Sequence, residues 1–149
     1  MVSVLYSEEK FLQNVFNDFC LKNKLNFPKQ LIEFLNQYND GELERNIVEG
    51  YDECSIRYFY GTTSFAYSNI EYTFECFKER MPHNCIAIAE AEGGNQICVS
   101  LEAKTYGKIY FWDHESMDVD EGDECRYSIE SMPLIANSFN ELLIKIIAC

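Results

Sequence analysis

The run Cys85-Ile86-Ala87-Ile88-Ala89-Glu90-Ala91-Glu92-Gly93-Gly94-Asn95-Gln96-Ile97-Cys98-Val99-Ser100-Leu101 decides the fold. Ile86 and Ile88 alternate with the small residues Cys85, Ala87 and Ala89, which is the two-residue period of a strand. Gly93-Gly94-Asn95 then supplies a turn where positive φ carries little steric penalty. Ile97, Val99 and Leu101 make the next strand, with Gln96, Cys98 and Ser100 on its reverse. A loop through Lys104-Thr105-Tyr106-Gly107 leads to Lys108-Ile109-Tyr110-Phe111-Trp112. Three strands in short succession predict an antiparallel meander.

Upstream, Phe11, Leu12, Val15, Phe16, Phe19 and Cys20 recur at helical spacing, which predicts a helix over residues 8–23 with one apolar stripe. A second helix opens at Pro28, whose missing N–H is unpaired at that position in any helix. Its buried face is Leu31, Ile32, Phe34, Leu35 and Tyr38, and Asn39-Asp40-Gly41 ends it, with Gly41 suited to a left-handed cap. Residues 42–53 carry Glu42, Glu44, Glu49, Asp52 and Glu53 against Arg45 alone, which reads as a solvated strand edge and loop. Ser55 to Tyr60 alternates as a strand ending at Gly61. Ser68-Asn69 caps a third helix carrying Ile70, Phe74 and Phe77, and Pro82 stops it.

Beyond the meander, Asp113, Glu115, Asp118, Asp120, Glu121, Asp123 and Glu124 crowd into twelve residues without a base. Such a segment cannot bury a core face and reads as a loop, with a short strand over 126–130 after it. Ser138-Phe139-Asn140-Glu141 is a capping box opening a C-terminal helix that carries Leu142, Leu143, Ile146 and Ile147. The whole reads as an α+β fold: a single domain over residues 1–149, a mostly antiparallel sheet with flanking helices.

Composition narrows the function. Apolar residues make up 47% and aromatics 15% of the 149 residues, which excludes a disordered chain. The net charge is −13, from 25 Asp and Glu against 12 Lys and Arg. Nucleic-acid binding and adhesion to an anionic membrane both need a basic footprint, so neither is expected. A basic protein partner is compatible with this charge. The seven cysteines include no C-x-x-C pair and most lie in apolar runs, as reduced, buried cysteines do. With no leader pattern at Met1–Lys10 and no apolar run of ~20 residues, the sequence predicts a soluble cytoplasmic protein.

Catalytic constellations are thin. His83-Asn84-Cys85 has the residue types for half a metal site or a thiol–imidazole pair, but Cys85 opens an apolar strand and a turn histidine fits equally. Asp113-His114-Glu115 follows a strand end, where general acid–base chemistry or a divalent ion would be at home. The acids around Asp118 lack the glycine that a calcium loop needs at its sixth position. Gly93-Gly94 is preceded by acids and followed by a strand, a hairpin turn rather than a phosphate cradle. No cofactor, metal or catalytic residue is expected. Tyr58, Phe59, Tyr60, Phe65, Tyr67 and Tyr72 form an aromatic excess that suits a core or a recognition surface equally.

Four stretches together resemble the SUKH superfamily of bacterial toxin-immunity proteins and fungal cell-wall and glucan-synthesis regulators. They are Phe27-Pro28 through Tyr38-Asn39-Asp40-Gly41; Ile86-Ala87-Ile88-Ala89 through Gly93-Gly94-Asn95-Gln96-Ile97-Cys98; Tyr106-Gly107-Lys108-Ile109-Tyr110-Phe111-Trp112-Asp113-His114-Glu115; and Ile135-Ala136-Asn137-Ser138-Phe139-Asn140-Glu141-Leu142-Leu143. They occur in the family's order. Asp40 stands where that family usually has glycine, and the acidic insert Met117–Glu124 has no fixed counterpart.

The resemblance implies a non-enzymatic protein that neutralises a cognate toxin, often a nuclease or deaminase, by direct occlusion. A nuclease is basic where it grips phosphate, and carboxylates can cover such a surface. The expected partner surface is therefore Glu42, Glu44, Glu49, Asp52 and Glu53 with Asp113, Glu115, Asp118, Asp120, Glu121, Asp123 and Glu124. The alternative, a regulatory scaffold of the fungal type, usually comes with long disordered flanks that this chain lacks. An enzyme would need a pocket joining His114 to Asp113 or Glu115.

Overall fold

A computed structural model describes residues 7, 9–43, 46–115, 119–120 and 123–147, without the side chains of residues 51–53, 119–120, 123–125 and 147. In chain order the elements are α1 (Gln13–Asn23), α2 (Lys29–Tyr38), β1 (Ile47–Val48), β2 (Tyr51–Phe59), α3 (Ile70–Phe77), β3 (Cys85–Ala91), β4 (Gln96–Ser100), β5 (Ile109–Trp112), β6 (Val119–Asp120), β7 (Asp123–Tyr127), β8 (Leu134–Ala136), α4 (Phe139–Lys145) and β9 (Ile146–Ile147). The meander is present. Among the described residues it is the centre of one antiparallel sheet of order β8-β5-β4-β3-β2-β1-β9.

Two adjacent cross-strand rows show how the layers are set. Phe59, Ala89, Ile97 and Phe111 are direct partners across β2, β3, β4 and β5. Directly opposed residues share a face. On that face Phe59 meets Phe34 of α2 at 4.8 Å and Phe139 of α4 at 5.8 Å between ring centroids. The neighbouring row, Tyr58, Glu90, Gln96 and Trp112, points the other way. There Trp112 packs edge-on against Phe77 of α3 and Tyr127 of β7, each at 5.1 Å. Both faces are covered, so every residue of β4 is buried, Gln96 and Ser100 included. Truncating Phe59 or Phe139 to alanine removes about 3–5 kcal/mol of stability by the usual scale for buried aromatics.

The structure corrects several expectations. The first helix begins at Gln13, because the Leu12 N–H donates to Thr62 Oγ1 at 2.7 Å and ties the preceding chain elsewhere. Leu12 and Val15 are about half exposed, so the buried stripe narrows to Phe16 and Phe19. The α3 helix stops at Phe77, whose carbonyl accepts the N–H groups of both Arg80 and Met81. The acidic segment 113–124 is not all loop: its later part enters the β6–β7 hairpin, and the strand foreseen over 126–130 ends at Tyr127. Backbone pairing needs no apolar side chain. Helix α4 ends at Lys145, and Ile146–Ile147 pairs with β1 instead of continuing it. The β1 strand is thereby covered on its outer side and is not the sheet edge.

Gly41 does not take the left-handed cap. The positive φ falls instead at Asn39 (φ 52°, ψ −124°), outside the left-handed helical region, and Asn39 is 2% exposed. Its Nδ2 donates to the carbonyls of Glu9 and Thr62, each at 3.0 Å, and its Oδ1 accepts the Thr62 N–H at 2.8 Å. This clamp needs the chain at Gly61 to pass very close. A Cβ there would collide with Asn39 Oδ1 and lie 2.9 Å from Asn39 Cγ and 3.0 Å from its carbonyl carbon.

Five of the seven cysteines have described side chains, all free, of which Cys54, Cys85 and Cys98 are buried. Burial pushes the Cys54 thiol up to about 12 and the Cys20 thiol to about 11. Cys98 is raised first by burial and then by its contact with Cys85. These are inert hydrophobes rather than nucleophiles.

Gly61→Ala is expected to destabilise the protein by more than about 3 kcal/mol, because backbone and a buried, fully bonded side chain must both move. Urea unfolding checks this; a Gly61→Ala variant within about 1 kcal/mol of wild type contradicts the clamp.

Candidate partner-binding surface

Antiparallel pairing brings four termini to one end of the sheet: the start of β2, the end of β3, the start of β4 and the end of β5. Glu49 in the β1–β2 turn, Glu92 in the β3–β4 turn, and Asp113 and Glu115 after β5 all project there and are exposed. From β2 to β5 is three strand steps, roughly 14 Å across the sheet, and Glu49 stands a further seven residues along the chain from Ile56, the partner of Ala91. The two acidic stretches thus reach the same end of the sheet, with Glu92 between them. Glu92 precedes the glycine turn in plain view, but only strand pairing shows that this turn separates the two stretches.

Other expected positions fall elsewhere. Glu42 bridges Tyr58, near the opposite end of β2, and is exposed. Asp52 and Glu53 lie on β2, Asp120 on β6, and Asp123 and Glu124 on β7, where only their backbones are described. Glu44, Asp118 and Glu121 lie outside the described residues.

Asp113-His114-Glu115 is built as a clamp. Asn95 Oδ1 accepts the His114 backbone N–H at 3.3 Å and meets ring Nδ1 at 2.8 Å. An acceptor there places the ring proton on Nδ1. The ring lies over Gly94, with Cε1 3.4 Å from where a Cβ would stand. The His114 carbonyl accepts from Arg80 Nη2 at 2.9 Å and from the Tyr127 hydroxyl at 3.0 Å. The Arg80 guanidinium stands 5.1 Å from the Trp112 ring centre and 5.8 Å from that of Tyr127. Glu115 approaches His114 Nε2 only to 4.0 Å, with its own side chain 83% exposed. His83 is exposed, while Cys85 beside it is buried. Among the described residues, no group of three or more His, Cys, Asp or Glu side chains is arranged to hold a metal ion.

Glu90, in the same cross-strand row as Trp112, accepts from the Tyr58 hydroxyl at 2.8 Å and pairs with Arg57 at 3.2 Å. The Tyr60 hydroxyl donates to buried Gln96 at 2.5 Å, and Gln96 Nε2 in turn donates to the Gly94 carbonyl at 2.8 Å. The acidic end therefore rests on a bonded network that runs from the sheet interior to the β3–β4 turn. Burial pushes both tyrosine hydroxyls above their ordinary range, helped at Tyr58 by its bond to Glu90.

The fold is an antiparallel sheet packed between helices, with hydrogen-bonded turns at the end that carries Glu92 and Asp113. The model of the SMI1 / KNR4 family (SUKH-1) matches residues 13–145, and the chain belongs to that family, which includes toxin immunity proteins. It is similar to the SPbeta prophage-derived uncharacterized protein YokK of Bacillus subtilis (strain 168), at 31% identity over 116 residues, 78% of this chain and 54% of that protein. The chain thus spans about half the length of the curated relative it matches. Among the described residues no helix is long and apolar enough to cross a membrane.

Two outcomes follow from the clamp and the network. Arg80→Ala is expected to cost about 1–2 kcal/mol in urea unfolding and to shift the emission of Trp112, the single tryptophan; unchanged emission contradicts the stacking. The folded state holds the Tyr58 and Tyr60 protons more tightly than the unfolded chain does. Their contribution is fully present below about pH 10, the value of the unfolded chain, and is lost progressively as pH rises from there toward the higher folded-state values. Tyr60→Phe should lower stability at neutral pH by about 1–3 kcal/mol, since Gln96 loses its donor, and should make the alkaline decline shallower in unfolding measured from about pH 7 to 11.

Proposed function

We propose that this protein is an immunity protein that binds a cognate toxin and neutralises it by covering its working surface, without turnover of its own. What supports the reading is family membership together with the acidic end of the sheet, where Glu49, Glu92, Asp113 and Glu115 stand exposed on clamped turns. A net charge of −13 favours a partner that is basic where it acts, such as a nuclease or a nucleic-acid deaminase. Carboxylates displayed on rigid turns accelerate encounter by steering, and the few that become desolvated prolong the complex. The partner surface proposed is Glu49, Asp52 and Glu53 with Asp113, Glu115, Asp118, Asp120, Glu121, Asp123 and Glu124, extended by Glu92; Glu42, near the other end of β2, and Glu44 are separate candidate contacts. His114 serves this surface as a positioning residue, its ring and carbonyl committed to Asn95, Arg80 and Tyr127. The site of action proposed is the cytoplasm, and no nucleic acid, membrane, metal or cofactor takes part.

The test is association of the toxin encoded beside this chain's gene, followed by surface biosensor at two ionic strengths. Glu49→Lys with Asp113→Lys, and separately Asp120→Lys with Asp123→Lys, should slow association by about tenfold at low salt and flatten its salt dependence. Cells expressing that toxin should lose protection in the same order. Unchanged association and protection in both variants would show these acids to be solubilising faces only.

A further inference from the structure

The aromatic stretch divides sharply in the fold. Tyr58, Phe59 and Tyr60 are buried, whereas Phe65, Tyr67 and Tyr72 are 40%, 61% and 54% exposed. The exposed three lie beyond the C-terminal end of β2, away from the acidic turns, on the loop into α3 and its first turn. Large aromatics left together on a surface mark an interaction site more often than chance exposure.

The loop that carries them is held rigid. Glu9 Oε2 accepts both the Ser64 N–H at 2.9 Å and its hydroxyl at 3.0 Å. Asn69 Nδ2 donates to the Thr63 carbonyl at 2.8 Å. The Ser68 hydroxyl donates to Asp40 Oδ2 at 2.8 Å, and Ser7 donates to the other oxygen at 2.5 Å. Asp40 is the residue that departs from the glycine usual at this position, and here it staples the aromatic loop to the end of α2. A preorganised surface loses little freedom when it binds.

Ser64, Ala66, Glu71, Tyr72 and Glu75 border a shallow, open cleft. Glu75 is paired with Lys78 at 2.6 Å, but Glu71 has no ion pair among the described residues. We propose that this cleft receives an arginine side chain of a basic protein partner, with the guanidinium on Glu71 and stacked on Tyr72 while Phe65 and Tyr67 cover the neighbouring partner surface. The inference rests on the reading that the chain binds a basic protein, and it adds a second contact to the acidic turns. Carboxylate walls and a net charge of −13 reject an anionic occupant and a second copy of this chain. A planar cation that both forks onto a carboxylate and stacks on a phenol is arginine rather than lysine.

The probe is the tripeptide acetyl-Gly-Arg-Gly-amide, compared with its neutral citrulline counterpart, titrated at low salt into the isotopically labelled full chain by amide NMR. The arginine peptide should shift the amides of residues 63–75, and the citrulline peptide should bind at least about tenfold more weakly. Glu71→Gln and Tyr72→Ala, both at surface positions, should each weaken the arginine peptide by at least about fivefold. Equal binding of the two peptides, or charge-dependent shifts centred on Glu49, Glu92 and Asp113 instead, would overturn the proposal. The assay contains no toxin, so its failure leaves neutralisation standing, and loss of neutralisation with peptide binding intact would count against the proposed function alone.

Discussion

Asn39 ends α2 with a positive φ and places its side chain, 2% exposed, into the backbone of residues 9 and 62. Three elements meet there: the segment before α1, the C-terminus of α2 and the chain leaving β2. A buried amide left unbonded costs about as much as a whole hydrogen bond is worth, so the three segments must arrive together or not at all. Gly61 permits the approach because a side chain at that point has no space. From Gly61 the backbone runs directly into Ser68 and Ile70, through bonds of 2.9 Å each, so the same tie fixes the start of α3 and the aromatic loop.

The sheet transmits that order to the other end of the molecule. One of its rows, Phe59-Ala89-Ile97-Phe111, is wholly apolar and packs on α2 and α4. The next, Tyr58-Glu90-Gln96-Trp112, mixes polar and aromatic groups beneath α3 and β7. Gln96 links the second row to the β3–β4 turn, and Asn95 links that turn to His114. The acidic turns are therefore as well supported as the aromatic loop, although they lie beyond opposite ends of β2. One of these surfaces carries exposed acids and the other exposed aromatics; charge acts over a distance of about the Debye length, and aromatic contact only at touching range.

The meander, the helix at Pro28, the cap at Asn69 and the Ser138 cap of α4 are all legible in the residues, because each depends on chemistry within a few positions. So is the α+β class. What escapes is what depends on distant pairing. Ile146 and Ile147 fit a helical stripe, yet β1 offers them ladder partners and the chain leaves the helix. Leu134–Ala136 is too short to read as a strand until β5 stands beside it. Val119–Asp120 and Asp123–Tyr127 pair through backbone groups that their acidic composition says nothing about. Glu92 reads as turn context, and its position between Glu49 and Asp113 emerges only once β3 and β4 lie between β2 and β5.

By itself the sequence determined the alternation of strands, the helix caps, the acidity that favours a basic partner and the family motifs, since periodicity, capping and charge are local or additive properties. Tertiary structure alone decided which aromatics are core and which are surface, which acids share one end of the sheet, and that Asn39 rather than Gly41 takes the positive φ after α2. Those outcomes are set by which segments come to lie against each other, and burial, register and close approach exist only between segments that have already met.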